Sequence, residues 1–489
     1  MPSTMKYTAA AIATFAGLAS ARQCQNLTVP VELSARNGKF NQPVTTTDIE
    51  VTNFILNLSQ QGHNYSMEIL DGYQTISGSY DIAATYCEPD SGAANVLQVL
   101  THGIGFDRSY WDVPFNYPNY SYVAEAVDQQ GYSTFSWDRL GIGMSSHGDP
   151  VQEIQAYLEV DALRALTEQL RNGDISSISK KFDTVVHIGH SFGSEHSYLL
   201  TAMYPELSDG IALTGFSHNG SFLPFFELGG NFVDAPNLGL DSYVHGYLAP
   251  ATESGVQTNF FSPGSFPPEL LTFATNNGQP VTQGELLTIG GEIGVPNTFC
   301  GPVLVITGER DVPYCGGDCL SPPTGYDSIP AAAQEFFPNT VIEVDIVPGA
   351  GHGLNIEYSH PYTYSHIFSF FEANGLSASA TNATKTCQPG SAGSASPAAP
   401  SASGSAGSGN GTAPASASSG VASASGAAGS ASASAAASSA APAASSAAPG
   451  QQYGQEYGHG YGWGHKGGPK GGWKNWEPKH PHGPPAAWN

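Results

Sequence analysis

Thr184-Val185-Val186-His187-Ile188-Gly189-His190-Ser191-Phe192-Gly193 decides how the chain is read. An apolar run of strand length meets Gly-x-Ser-x-Gly, and a helix-permissive segment, 194–203, follows. In that context the pentapeptide is a nucleophile elbow. Strand turns into helix so tightly that Gly189 and Gly193 have room only for hydrogen, and Ser191 is held out at the sheet edge in a strained conformation. The pentapeptide alone occurs by chance in many chains. The flanking strand and helix give it meaning.

The same rhythm extends in both directions. Val96-Leu97-Gln98-Val99-Leu100 reads as a buried strand ending in His102-Gly103-Ile104-Gly105, and 133–137 as the next, ending in Asp138-Arg139-Leu140-Gly141-Ile142-Gly143-Met144-Ser145. Strands are also expected at 211–215, 303–308 and 341–347, and helices at 122–130, 331–337 and 361–373. The clearest helix is 151–171, where Tyr157, Val160, Leu163, Leu166 and Leu170 recur every three or four residues and Asn172-Gly173 stops the run. Before Pro89, the β-prone runs 49–58 and 73–86 are expected as antiparallel first strands of a mixed sheet. Apolar strands alternating with helices mean an α/β fold whose largely parallel sheet is covered on both faces. Between 216 and 299 the rhythm lapses into Gly, Pro, Asn and aromatic residues. A stretch that long inside a compact domain is usually functional, for example a lid.

Composition bounds the rest. The chain has 489 residues. Lys6, a short apolar run at 9–19 and Ala19-Ser20-Ala21 read as a signal peptide over 1–21, and no segment is long enough to span a bilayer. Six cysteines, Cys24, Cys87, Cys300, Cys315, Cys319 and Cys387, are compatible with three disulfides in any of fifteen pairings, Cys315 with Cys319 being the most local. Sequons begin at Asn26, Asn57, Asn64, Asn119, Asn219, Asn382 and Asn410. Secretion, to the medium or the cell wall, follows as the expectation. A net charge of -25 argues against nucleic acid or an anionic membrane surface as partner. The globular domain is expected over 22–376. An Ala/Ser/Gly-rich linker follows at 377–450, unable to bury enough apolar area to order itself, and a Gly/Tyr/Trp/His/Lys-rich disordered tail at 451–489, with cell-wall association as its open alternative. His459, His465, His480 and His482 fit weak metal binding or, equally well, a solvated tail, and the polar end predicts no GPI anchor.

Serine needs a base to take its proton, and the base needs an acid to hold its tautomer. Both should come from loops at the carboxyl ends of strands. Asp311 follows the strand at 303 in Gly308-Glu309-Arg310-Asp311, and His352 follows the strand at 341 in Gly349-Ala350-Gly351-His352-Gly353. Ser191, Asp311 and His352 thus stand in the order Ser, acid, His. Glu309 and Asp318 are the rival acids. His102, His187, His190 and His196 are read as structural, and Asp138 as a loop anchor. The oxyanion donors are expected to be the amides of Phe192 and Ile104, with glycines at 103 and 105 allowing close approach.

HGIG, WDRLGIGMSS, GHSFG, TGERD and PGAGHG, in this order and spacing, resemble the α/β-hydrolase fold superfamily of lipases, esterases and peptidases. The resemblance covers about 96–373. It implies an eight-stranded, mostly parallel sheet with a cap inserted after the sixth strand, which fits 216–299. Relatives with an aspartate nucleophile are disfavoured because serine occupies the elbow. The leader and the Ala/Ser-rich tail look similar to those of secreted fungal hydrolases. The expected function is a serine hydrolase cleaving a small or lipid-like carboxylic ester through an acyl-enzyme, with neither metal nor organic cofactor. A peptidase or lactonase on the same triad and a non-catalytic surface-binding protein are the alternatives. Phe222, Phe225, Phe226, Phe232, Phe260, Phe261 and Phe266 suggest an apolar acyl or aromatic substrate, or simply pack the cap onto the core.

Overall fold

The computed structural model describes residues 22–291, 293–381 and 385–387. The expected leader, most of the expected linker, the tail, and the sequons at Asn382 and Asn410 lie outside the described residues.

Eight strands form one mixed sheet in the order β1-β2-β4-β3-β5-β6-β10-β11. β1 (Arg22–Phe40) and β2 (Leu70–Pro89) make a long antiparallel ribbon, cross-linked by Cys24–Cys87 at facing positions. Helices α1 (Asp48–Leu58) and α2 (Tyr65–Glu68) lie between them in the chain. From β3 (Val96–Thr101) onward the sheet is parallel. Helix α3 (Tyr122–Ala124), continued by a π turn to Gln129, precedes β4 (Ser133–Trp137); α4 (Ala156–Asn172) precedes β5 (Thr184–His190); α5 (Phe192–Met203) precedes β6 (Gly210–Thr214).

An insertion then separates the sixth and seventh strands of the sheet. It holds α6 (Leu223–Gly229), β7 (Phe232–Asp234), β8 (Tyr247–Pro250), α7 (Glu253–Phe260), α8 (Pro268–Asn276), β9 (Val281–Thr282) and α9 (Gln283–Thr288), and its three strands pair antiparallel as a small sheet. The main fold resumes with β10 (Val303–Gly308), α10 (Val312–Cys315), β11 (Glu343–Val347) and α11 (His360–Ala373).

Every residue of β3, β4, β5, β6 and β10 is buried, as a sheet covered on both faces requires. On one face Val185 packs with Leu163 and Leu166 of α4 and Leu199 of α5. On the other, Val186, Ile188, Leu304 and Ile306 meet Tyr364, Phe368 and Phe371 from α11. Each such side chain contributes about 1.5–3 kcal/mol by leaving water. That packing fixes the strand ends on which the loops are mounted.

Four local expectations are corrected. Residues 49–58 are not a strand but lie in α1, where Val51, Phe54 and Ile55 are buried and Thr47 with Glu50 forms a capping box. The three-to-four spacing and the cap outweigh the β-branched side chains. Helix α4 starts at Ala156 rather than 151, because the Gln155 amide group bonds Gly38 across the chain and holds residue 155 in extended backbone. The helix expected at 331–337 is a 3-10 segment, Pro330–Phe336. The insertion is built from short elements rather than irregular chain.

Candidate active site

Ser191 sits between β5 and α5 with φ 56° and ψ −122°, a backbone conformation that L-residues rarely adopt. A Cβ on Gly189 would lie 2.2 Å from the Gly193 carbonyl oxygen, and one on Gly193 would lie 2.4 Å from the Thr101 carbonyl oxygen. Only hydrogen fits at either place. The Ser191 amide is tied to the Thr214 carbonyl at 2.9 Å, so the neighbouring strand β6 helps to hold the strain.

Asp311 caps α10: its Oδ1 accepts from the Tyr314 amide at 2.8 Å, while Oδ2 accepts from His352 Nδ1 at 2.6 Å. Both side chains are buried, and a Cys315–Cys319 disulfide closes the turn behind Asp311. Acid and base loops touch directly. A Cβ on Gly308 would fall 1.9 Å from the Gly351 carbonyl oxygen, which explains glycine at the end of β10. The bond to Asp311 fixes the imidazole tautomer and leaves Nε2 as the acceptor. Nε2 has no hydrogen-bond partner among the described residues. Of the rival acids, Glu309 accepts from the Gly349 amide and Asp318 from the Leu320 amide, so neither reaches His352.

The other histidines are engaged elsewhere. His102 bonds the Gly103 carbonyl and accepts from the Arg139 amide. His187 lies between Thr167 and Ser208, and burial lowers it to about 3. His196 bonds the Phe192 carbonyl and is likewise lowered to about 3 by burial. His190 bonds Thr214, stacks on Tyr110 at 4.4 Å, and lies 4.8 Å from the His352 ring. Asp138 accepts from the Arg108 and Met144 amides, as expected of a loop anchor.

The loop after β3 is pressed against the elbow. A Cβ on Gly103 would meet Ser191 Cβ at 2.8 Å, and one on Gly105 would meet the Phe260 ring at 2.9 Å. Ile104 and Phe192 are buried in one apolar cluster. Neither N–H donates to a protein acceptor among the described residues. Beyond Gly105 a cavity of about 290 Å³ lies between this loop and the insertion, with walls that include Phe106, Leu240, Val256, Phe260 and Ala274. Phe260 stands between that cavity and His352, whose ring it stacks against at 6.0 Å. Phe226, Phe232 and Phe261 pack into the core beside it, and Phe225 is exposed. Of the insertion's aromatics, Phe260 alone among these both packs and borders the site.

Three groups escaped sequence reading. Tyr314, three residues beyond Asp311, stacks its ring on His352 and donates its hydroxyl to Glu195 at 2.8 Å. Glu195, four residues beyond Ser191, is fully buried and pushed by burial to about 7. The Gly-x-Ser-x-Gly pattern stops one residue short of the helix turn that places it. Glu357, also pushed by burial to about 7, accepts from the Gly351 and Ser262 amides and so joins the His352 loop to the insertion. Beneath the elbow, Arg139 gives one nitrogen to both Glu159 of α4 and Glu285 of α9, all three fully buried, with its guanidinium over the Phe192 ring. Among the described residues no three His, Cys, Asp or Glu side chains converge as metal ligands would, and no helix is long and apolar enough to cross a membrane.

Comparison with curated proteins finds no match. Among solved structures the chain is similar to a thermophilic esterase from Thermogutta terrifontis at 16% identity, covering 60% of this chain and 94% of that one with a TM-score of 0.41. It is similar to epoxide hydrolase A from Mycobacterium thermoresistibile at 16% identity, covering 60% and 95% with a TM-score of 0.40. An E-2-(acetamidomethylene)succinate hydrolase stands at 16% identity, 60% and 96% coverage, and a TM-score of 0.37. The sequence pattern of the Alpha/beta hydrolase family matches residues 98–363. With more than half of its length so matched, the chain belongs to the alpha/beta hydrolase family.

Proposed function

We propose that the protein is a secreted serine hydrolase that cleaves a carboxylic ester, with Ser191 as nucleophile, His352 as general base and acid, and Asp311 as its orienting partner. The observation that carries this reading is the 2.6 Å bond from His352 Nδ1 to Asp311 beside a serine held at φ 56°. Ser191 Oγ attacks the acyl carbon while His352 Nε2 takes its proton. Asp311 stabilises the imidazolium that forms. The amides of Phe192 and Ile104 receive the oxyanion, the alcohol leaves with the proton from His352, and water enters by the same route in reverse. An elbow serine 7% exposed and a histidine 1% exposed give these dipoles a dry site in which they act strongly.

Phe260, stacked on the His352 ring, and Phe106, packed edge-on against Phe260, support an acyl or aromatic group as the substrate's larger part. Capture of a peptide amino terminus would need an unspent buried carboxylate. Among the described residues, the buried carboxylates of the insertion are engaged: Glu227 with Ser59, Asp234 with His245, and Glu285 with Arg139. Three disulfides and the exposed asparagines at 26, 57, 64 and 119 support secretion, with 1–21 as the leader, 216–299 as a cap, and 377–489 as linker and tail. Hydrolysis of a p-nitrophenyl ester series of graded acyl length is the test. Turnover lost in Ser191→Ala is the expected result. Equal turnover by both proteins, or none by either on any length, would sink the ester reading.

A further inference from the structure

His352 is steered by more than Asp311. A single hydrogen bond at Nδ1 fixes one corner of the imidazole and leaves the far corner, Nε2, able to rock. Three rings from separate parts of the chain pack around it. His190 of β5 lies at 4.8 Å, Tyr314 of α10 at 5.7 Å and Phe260 of α7 at 6.0 Å, the last two inclined by only 28° and 26°. Of these, Phe260 comes from the insertion.

The insertion grips the His352 loop by its backbone as well. On one side of His352, the Gly353 amide donates to the Phe260 carbonyl at 2.7 Å. On the other, the Gly351 amide donates to Glu357 Oε2 at 2.7 Å, and Glu357 Oε1 accepts from the Ser262 amide. The fit is tight: a Cβ on Gly351 would lie 2.5 Å from the Ser262 nitrogen. The Phe260 ring also abuts the loop after β3, where a Cβ on Gly105 would stand 2.9 Å from its tip. Residues 260–262 are therefore tied to both neighbours of His352 and pressed against the loop that carries Ile104.

We propose that Phe260 is a positioning residue for the reaction, supplied by the insertion and acting through His352, and that Glu357 seats it by joining residues 260–262 to the His352 loop. This rests on Ser191 being the nucleophile and His352 its base. Phe260 limits the rocking of the imidazole about its bond to Asp311, so Nε2 stays aimed. When Nε2 takes the Ser191 proton the ring becomes a cation, and a cation in a dry site is drawn to an aromatic face. The neutral base lacks that attraction, so it favours the transition state over bound substrate. Residues 260–262 are then a fixed part of the catalytic frame rather than a lid lifted to admit substrate.

The test compares kcat and KM for p-nitrophenyl acetate, whose acyl group is small enough that wall contacts add little. Phe260→Leu keeps an apolar side chain and removes the ring. Its kcat should fall about tenfold while KM stays within about twofold. Glu357→Gln leaves one carbonyl oxygen for two amides, and its kcat should fall about fivefold, again with KM unmoved. Phe232→Leu removes another buried ring of the insertion, one that packs on Phe226; it should lower the melting temperature and leave kcat as in the wild type. If Phe260→Leu does not fold, Glu357→Gln carries the test alone. An unchanged kcat in Phe260→Leu, a loss confined to KM, or an equal loss of kcat in Phe232→Leu would overturn the inference. Labelling of Ser191 by an ethyl fluorophosphonate separates this from the reading beneath it: Oγ bonds phosphorus, fluoride leaves, and His352 takes the serine proton. A wild type that is labelled but cleaves no ester would sink the ester alone, and the labelling rates of the same variants would then decide the inference. A wild type not labelled at any pH would overturn the nucleophile assignment, and the inference with it.

Discussion

Two of the charge networks that the described residues remove from water bear comparison, the pair Asp311 and His352 and the cluster around Arg139. In the first, Asp311 and His352 are joined by one bond, and the outer nitrogen of the histidine has no hydrogen-bond partner among the described residues. In the second, Glu159 and Glu285 converge on a single nitrogen of Arg139. The backbone beneath them differs too. Ser191, next to the first network, is strained at φ 56°, whereas Glu159 lies in the long helix α4 and Glu285 completes a capping box with Thr282. Burial alone therefore does not mark a reactive group. An unspent acceptor does not mark one either, since Glu159 Oε1 also lacks a hydrogen-bond partner among the described residues. Strained backbone beside the histidine sets the first network apart, and opposite charges in relaxed helices mark the second as a clamp holding α4, the loop after β4 and the insertion together.

Asp311→Asn is the hardest blow to the first network. The serine would remain in place but the imidazole tautomer would be wrong, and kcat on a p-nitrophenyl ester should fall about 10⁴-fold. The melting temperature should barely move. A loss under tenfold would show that the pair is as structural as the Arg139 clamp.

Arg139→Met attacks the second network, leaving two carboxylates buried without a counter-charge. The expected cost is about 3–5 kcal/mol, read from urea unfolding. Burial already raises Glu159 and Glu285 to about 7, so both are neutral at pH 5 and charged at pH 8. The loss should therefore be greater at pH 8, and an equal loss at both would contradict the clamp.

A smaller version of the same contrast lies in the insertion. Glu227 is held by Ser59 Oγ at 2.6 Å and raised by burial to about 7. Ser59→Ala should cost about 1–2 kcal/mol at pH 8 and less at pH 5, again by urea unfolding. A cost independent of pH would mean that the carboxylate finds another partner.

The smallest effect is expected for the whole protein between about pH 4.5 and 6.5. Glu159, Glu195, Glu227, Glu285 and Glu357 are raised to about 7. Their folded forms bind protons that the unfolded chain releases, which lowers stability as pH rises. His187, His196 and His218 are lowered to about 3, and His102 and His190 well below their ordinary value. The unfolded chain binds those protons while the fold refuses them, which raises stability with pH. The two slopes oppose, so the melting temperature should form a plateau and drop only below about 4.5, where the histidine term stands alone. A steady climb across that interval would show that the histidines dominate.

The elbow was legible because its glycines answer to contacts within a few residues and to one adjacent strand. Asp311 and His352 were legible because each begins the loop after a fully apolar or strand-length run. Tyr314 and Glu195 were not, since a tyrosine and a glutamate become neighbours only after α10 and α5 have set their helical phase. β1 escaped because its buried Val29, Val31 and Leu33 alternate among polar residues in a stretch with no flanking helix signal. The insertion escaped for another reason. Its strands are two to four residues long, too short for any period to show, and its aromatic content fits packing as well as binding.

Cys300 precedes β10 and is joined to Cys387, whereas Ser191, Asp311 and His352 follow the far ends of β5, β10 and β11, strands that run in one direction. A pull applied to the chain beyond Cys387 would therefore enter the fold through that cross-link, at the edge where the parallel strands begin. The mechanical path need not pass through the loops that carry the proposed chemistry, which makes the carboxyl-terminal side a sound place to attach the protein to a support.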